Sequence, residues 1–524
     1  MIYLNTRRLA SCLCFLFWLL SSLELKAQYF NKSIDLNQTS NTGITIIPVD
    51  DGLLISVGSV CVLETTFVSC VGLLKTDFDG NVVWTRIIEG FKTPTANSMI
   101  VDGDYIYLAI RHNIAPLANI KILKLDMAGN TLEEWDLGAT QENENPFGLL
   151  RYKEGFIIYS LLFPPDHEEI AWLIFTDSVF TPVHEVFFDE EDPAYGLIVS
   201  RDLTEVSDGN LIATCRSGSV GFAVGNITKF DSLGQVIWQQ LLPLSESGSG
   251  THEVHVVELQ DGGFAVNGFR DQSWSSGNYE YPPTVFKLDA DGEILWEYTF
   301  ITPLYDRKRI NNLHLAANGD IIGEGYRKFY RDDLERYVDC GWMFRLDPES
   351  GAVVWDRTLC DYRSPLYSMT FWDGVELPNG DLVFTGLYQD TFPNAMPFIN
   401  DPNVWLVRLS AEGCLVEGCN EWTIVNPDGS ITATEEALPI NGRFVVYPNP
   451  GNGQVWIAAE GESLTGQRCR VMLYDAQGRP AKEENFQAGR PQPFDWGDLP
   501  PGMYYYLIRS EDGEAQSGKL AIIR

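Results

Sequence analysis

Few side chains in this chain are spaced for chemistry. His252 and His255, in THEVH, invite a shared metal. The stretch reads as a strand, where residues three apart point to opposite faces, so ordinary strand histidines are expected. Asp50 with Asp51, and Glu190, Glu191 and Asp192, cluster carboxylates as a calcium site would. They lack the alternating spacing of a calcium loop and read as solvated turns. No nucleophile elbow, phosphate loop or dinucleotide fingerprint is present. An acid/base pair acting on glycans has room among 72 Asp and Glu, but spacing selects none. No catalytic, cofactor-binding or metal residue is therefore assigned, and no cofactor is expected. Aromatics in two inserts read as loops between second and third strands, Trp274, Tyr279 and Tyr281 in Arg270 to Pro283 and Phe329, Tyr330 and Tyr337 in Tyr326 to Asp339, are the candidates for stacking on a sugar or peptide. The alternative is that they cover their own strands.

Cysteine is the other reactive residue. After Cys12 and Cys14, eight remain, with no C-x-x-C spacing for zinc. Cys61 and Cys70 flank a short loop, Cys340 and Cys360 lie on the arms of one hairpin, and Cys414 and Cys419 bracket four residues. These three local pairs are the expected disulfides. Cys215 and Cys469 are left as buried thiols.

The elements that must position these groups come from a repeat. KTDFDGNVVW, KLDMAGNTLEEW, KFDSLGQVIW, KLDADGEILW and RLDPESGAVVW end at Trp84, Trp135, Trp238, Trp296 and Trp355, with worn copies near Phe175 and Arg408. Asp bonds back to a turn backbone and Gly accepts positive φ, so each copy reads as a β-hairpin. Each follows a second turn and apolar strand, as in VDDGLLISVG and LPNGDLVFTG. The unit is four strands, seen seven times at about 50–60 residues, which is the period of a seven-bladed β-propeller. The repeat tryptophans are expected to be mostly buried between blades. YFNKSIDL, near the start, is expected to complete the last blade, whose own fourth strand is weakest.

RLDPESGAVVW resembles the tryptophan-docking repeat of quinoprotein-like and WD40-like propellers. That resemblance implies a structural role for the motif. No adjacent cysteine pair of the kind quinone enzymes use is present.

Net charge is −35, with 45% hydrophobic and 12% aromatic residues. So acidic a chain is a poor partner for nucleic acid, whose phosphates need Lys and Arg. Arg7 and Arg8, an apolar run from Leu9 to Leu20, and Ala27 before Gln28 form a secretory leader with cleavage between Ala27 and Gln28. The run is too short to span a membrane. It follows rather than precedes Cys12, so lipidation is not expected.

Beyond a polar stretch, short alternating strands with Asn-Pro, Gln-Gly and Asp-Gly turns read as a small immunoglobulin-like β-sandwich. Tyr447-Pro448-Asn449-Pro450, Tyr474-Asp475 with Gly478, Gly502 leading to Tyr504, and Gly518-Lys519-Leu520 resemble the type A C-terminal sorting domain of the type IX secretion system of Bacteroidota. The resemblance implies that the secretion machinery is a partner and that the product is secreted or held on the cell surface. The expected order is leader 1–27, propeller 28–423, linker 424–441 and sorting domain 442–524. The expected role is to bind an extracellular glycan or protein. The alternatives are a glycan-active enzyme at the channel mouth, or a structural or adhesive surface protein.

Overall fold

The structure is a computed structural model. It describes residues 29–522 except for connecting segments, the longest being 138–142, 164–169, 189–197, 218–223, 243–253, 274–278, 390–401, 434–442, 448–452, 461–467 and 475–479. Every regular element among the described residues is a strand. They gather into seven consecutive blades, at 40–88, 99–137, 143–188, 198–241, 256–299, 306–361 and 368–409. The seventh has three strands of its own. Its fourth is Phe30–Ile34, antiparallel to Pro402–Leu409 with Ser33 opposite Trp405. The chain is a seven-bladed β-propeller closed by its N-terminal strand, which supplies the missing outer strand of the last blade.

The hairpins form for the reason the repeat suggested. The Asp77, Asp126, Asp177, Asp231 and Asp289 carboxylates each accept the N–H groups two and four residues on. The turn glycines lie at positive φ, +72° at Gly80 and +89° at Gly292. They have a second duty, because the preceding blade's tryptophan lies on them. A Cβ on Gly129 would meet Trp84 at 3.0 Å, one on Gly292 would meet Trp238 at 2.7 Å, and one on Gly351 would meet Trp296 at 2.9 Å. The indole N–H groups of Trp238 and Trp296 donate to Ala290 and Pro348 carbonyls at 3.1 Å, and that of Trp355 to Ala411 at 3.3 Å. Each tryptophan thus ties two blades. Only Trp355 is buried; Trp84, Trp135, Trp238 and Trp296 are half-buried. They stand on the outermost strand, where one side of the ring faces solvent, so burial is fullest at Trp355 and partial at the other four joints.

A second repeat device was overlooked in the sequence. In five of the seven blades the Lys or Arg that opens the motif pairs with the Asp of the earlier turn in its own blade. Lys75–Asp51 and Lys229–Asp208 close at 2.7 Å, Lys287–Asp261 at 2.6 Å, and Arg345–Asp320 and Arg408–Asp381 at 2.7 Å. Where Asp precedes the turn glycine the partner is Lys. Where the turn reads N-G-D and Asp follows it, the partner is Arg.

The stretch after Thr423 does not begin as free chain. Trp422–Val425 runs parallel to the outer strand of blade six, Ile424 opposite Cys360, and Ile431–Ala433 pairs with it. Further on, Arg443–Tyr447, Gln454–Glu460 and Gln492–Asp495 form one sheet. Pro480–Gln487, Arg468–Tyr474, Gly502–Ser510 and Ala515–Ile522 form the other. They enclose Val455, Val471, Leu473, Phe494, Trp496, Ile508 and Leu520, giving an immunoglobulin-like β-sandwich.

Candidate functional site

The first strand of each blade lines the channel, and most of these strands carry a bulge, as at Gly43/Thr45, Pro146/Gly148, Ile310/Asn312 and Phe371/Asp373. A bulge turns side chains out of alternation. Here it brings polar groups across the joints. Asp373 of blade seven accepts the Ile46 N–H of blade one at 2.8 Å and the Asn312 amide of blade six at 2.7 Å. Asp202 of blade four accepts the Val256 N–H of blade five at 3.0 Å and the Asn97 amide at 3.1 Å. Glu144, fully buried, accepts the Ile120 N–H at 3.3 Å. These carboxylates staple blades.

Asp373 has ionisable neighbours. Glu324, fully buried, lies 3.3 Å from His314 Nδ1. Burial and the Glu324 charge push Asp373 up to about 7. Burial alone would pull His314 down, but the adjacent Glu324 carboxylate outweighs it and the net direction is upward. A carboxyl that titrates near neutrality is a functional candidate, although structural networks produce such shifts too.

The rim of blade six is the other candidate. The stretch Tyr326 to Asp339, expected as a loop, is strand: Ile321–Arg331 and Arg336–Leu346 stay paired as far as Arg331 opposite Arg336. Its two faces differ. On one, Arg327 donates to Asp306 through Nε at 3.0 Å and to Glu421 at 2.7 Å, and lies 4.1 Å from the Trp422 ring. Phe329 is buried against the same indole, edge to face at 5.6 Å. On the other face Tyr330 and Tyr337 are 42% and 40% exposed, their rings 5.2 Å apart. Only these two of the singled-out aromatics stand in solvent among the described side chains.

The remaining sequence candidates fall as follows. Cys61–Cys70, Cys340–Cys360 and Cys414–Cys419 are bridged, with Cα atoms 5.9, 4.8 and 5.5 Å apart. Cys469 is a buried thiol outside these bridges. The side chain of Cys215 lies outside the described residues, as do Ala27, Gln28, His252, Trp274, Tyr281, Pro448, Asn449, Pro450 and the 190–192 carboxylates. His255 is buried with Nδ1 3.6 Å from Asp202. Asp51 is the turn partner of Lys75. No group of three or more His, Cys, Asp or Glu among the described residues could hold a metal ion. In the sandwich, Tyr504 is buried and donates its hydroxyl to the Pro500 carbonyl at 2.8 Å. Gly502 opens that strand opposite Ile522, and Lys519 lies opposite Tyr505. A Cβ on Gly518 would meet the Tyr506 hydroxyl at 2.3 Å, so the residue beside Lys519 must be small. Tyr447 is exposed opposite Trp456.

Propeller, disulfides and tail define an exported all-β protein. Residues 445–523 match the family described as the secretion system C-terminal sorting domain, which makes the chain a cargo of type IX secretion, carried to the cell surface or beyond. No helix among the described residues is long and apolar enough to cross a membrane. No curated protein matches the chain. Among solved structures it is similar to an ulvan lyase of polysaccharide lyase family PL25, at 8% identity over 81% of this chain and 91% of that one, TM-score 0.37. It is also similar to the subtype N10 neuraminidase-like protein of A/little yellow-shouldered bat/Guatemala/060/2010, at 6% identity over 60% and 96%, TM-score 0.36. For the endo-arabinase from Bacteroides thetaiotaomicron the values are 13% identity, 49% and 89% coverage and a TM-score of 0.28. At these scores the likenesses carry no statement about chemistry.

Proposed function

We propose that the protein is a binding propeller, made with a leader cleaved between Ala27 and Gln28 in a host of the Bacteroidota type and delivered outside the cell by residues 442–524. The observation that carries the binding reading is how the channel carboxylates are used. Asp202, Asp373 and Glu144 accept main-chain N–H groups of neighbouring strands, which commits them to holding the ring rather than to proton transfer. The ligand is a glycan or protein met at the propeller rim, where the paired strands of blade six extend to Arg331 and Arg336.

The test offers purified mature chain to a panel of polysaccharides and surface proteins and measures retention together with release of reducing ends. Retention without release is the expected result. One observation favours a second reading, a glycan-active enzyme: the Asp373 carboxyl sits near pH 7 beside Glu324. Release of reducing ends, lost in Asp373→Asn and Glu324→Gln variants that still fold, would replace the binding reading with that one. For delivery, a chain lacking 442–524 is expected to lose its leader and accumulate in the periplasm. Equal recovery of truncated and full-length chains at the surface or in the medium would remove the sorting role.

A further inference from the structure

Blade six is where positive charge collects. Ten of the chain's 37 Lys and Arg lie between Arg307 and Arg363, with ten carboxylates in the same span, so this segment is neutral in a molecule of net charge −35. The strand register sorts these charges by face. Lys308, Arg327 and Asp306 share one face, where Arg327 is spent on Asp306 and Glu421 and Lys308 on Asp356 at 2.5 Å. The opposite face carries Arg307 opposite Lys328, Arg309 opposite Tyr326, and Tyr330 opposite Tyr337.

On that face the cations are not neutralised. Arg307 is exposed, and Arg309 is half-buried with its Nε enclosed and unpartnered. Among the described residues no carboxylate lies within ion-pair distance of either guanidinium. The connecting segments 303–305 and 364–367 contain no acidic residue; Asp332 and Asp333 belong to the hairpin tip beyond Arg331. Lys328 has Asp339, at 3.6 Å, and burial holds the Asp339 carboxyl above the usual range, which makes it a poor counter-ion. The face is turned to blade seven at Gly341, where a Cβ would meet Phe371 and Trp405 at 2.3 and 2.6 Å. Blade seven begins at Ser368, level with Asp339, so the hairpin beyond that point projects past it into solvent.

We infer that this face is a binding site for an anionic polysaccharide, carboxylated or sulfated. Arg307 and Arg309 stand two residues apart on one strand face, roughly 7 Å along the strand, and take successive acid groups. Guanidinium forks match planar carboxylate and tetrahedral sulfate oxygens, and the half-buried position of Arg309 limits its screening by water. Tyr330 and Tyr337 lie at the outer end of the row and offer ring faces with polar hydroxyl tips, which suit a sugar's apolar face and its hydroxyls. The side chains rise from a sheet face rather than an edge, so the main-chain pairing that captures extended peptides is not the mode used.

The inference rests on the propeller being a binding module, and the experiment separates the two. Full mature chain is titrated with polygalacturonate and dextran sulfate, with neutral dextran and poly-glutamate as comparators, and melting is recorded for every variant. Binding to one or both polyanionic glycans, and not to dextran, is expected. The doubly substituted Arg307→Gln, Arg309→Gln chain should bind at least about tenfold more weakly, as loss of charge-assisted hydrogen bonds implies. Tyr330→Ala with Tyr337→Ala should also weaken binding, whereas Arg470→Gln, an exposed cation of the sandwich, should not. Binding unchanged in the double arginine variant overturns the site. Equal affinity for poly-glutamate overturns the glycan class in favour of acidic protein. Failure to bind either polyanionic glycan overturns the inference outright. In that case retention of any neutral glycan or protein leaves the binding reading standing, and release of reducing ends removes it.

Discussion

Two joints of the ring use the same parts from opposite ends of the chain. Between blades six and seven, Trp355 lies over Gly413, Arg345 donates to the Ala411 carbonyl at 3.2 Å, and Arg357 donates to Glu412 at 3.2 Å. Between blades seven and one, Phe30 lies over Gly80, Arg408 donates to the Phe78 carbonyl at 2.7 Å, and Lys32 donates to Asp79 at 2.7 Å. Ring over glycine, third-strand arginine to a turn carbonyl, outer-strand cation to the next carbonyl: the closing joint matches the other point for point. The difference is connectivity. Asn31 of the closing strand adds a bridge, accepting the Trp405 indole N–H at 2.6 Å and donating to Asp361 at 2.8 Å. A strand brought from the far end loses more chain entropy on docking than one that follows its own hairpin. The closing joint is therefore where the ring should open first.

That ranking can be broken most directly by removing 29–36. Phe30, Ile34 and Leu36 are buried, and at roughly 2 kcal/mol for each buried side chain the loss is on the order of 6 kcal/mol. This approaches the whole stability of an ordinary domain. Denaturant unfolding should show a lost or non-cooperative transition. A truncated ring that unfolds like the intact one would show that blade seven does not need its fourth strand.

The next test stays with single rings. Trp355→Ala at the buried joint should cost about 3–5 kcal/mol. Trp238→Ala, at a half-buried joint, should cost less, about 1–3 kcal/mol. Midpoints of urea unfolding check both. A Trp238 loss under about 1 kcal/mol would mean that half-buried tryptophans decorate their joints rather than hold them.

What could be read from the sequence follows the same line. Blade number, the borrowed strand and the three disulfides were legible because each shows as local spacing: a turn, a strand end, a cysteine a few residues from its partner. The sorting tail was legible as an ordered motif. The Lys or Arg to Asp pairs were visible at five of the seven repeat starts but went unread, since their partner lies one hairpin upstream. The docked hairpin at Trp422 left no period to follow. The blade-six rim was read as a loop because its polar residues outnumber its apolar ones, yet pairing continues to Arg331. Asp373, Glu324 and His314 could not have been chosen. Glu324 and His314 are cross-strand neighbours in blade six, but Asp373 joins them only when blade seven packs alongside, and a bulge sets its direction.

Blade three sharpens the comparison from the side of the exception. Its turn has Phe180 where the other copies have Gly, at φ +58°. The ring stacks on Phe156 at 4.4 Å and meets Trp135 at 4.8 Å. Phe180→Gly restores the repeat and relieves left-handed strain worth about 1–2 kcal/mol. It also removes a buried ring worth about 3–5 kcal/mol. The net expectation is a loss of about 2 kcal/mol. Stabilisation would show that strain outweighs packing here, and that the glycine rule needs no exception.

The smallest effect is a change of slope with pH at the joint of blades six, seven and one. Asp373 titrates at about 7 in the folded protein against an ordinary value of 3.8. Below about pH 4 both states carry the proton and this group does not oppose folding. Between pH 4 and 7 the unfolded chain releases its proton while the folded one retains it, so stability falls as pH rises; above 7 the loss is complete. His314 is raised as well, so its contribution is full below 6.5 and is lost as pH rises through its folded value, the same sign. The turn aspartates Asp77 and Asp347 are held low; burial opposes that at Asp77, while hydrogen bonds to turn groups produce it at both. Their contribution is present above about pH 4 and is lost in acid. The two regions therefore pull in opposite directions. Asp373→Asn also changes stability through the staple itself, because its amide presents a donor where the carboxylate met three donors. The quantity to read is therefore the slope of melting temperature between pH 5 and 8, which should become shallower. Glu324→Gln should shift the Asp373 step to lower pH by removing the neighbouring charge. A slope unchanged in both variants would assign the alkaline loss to groups elsewhere in the ring.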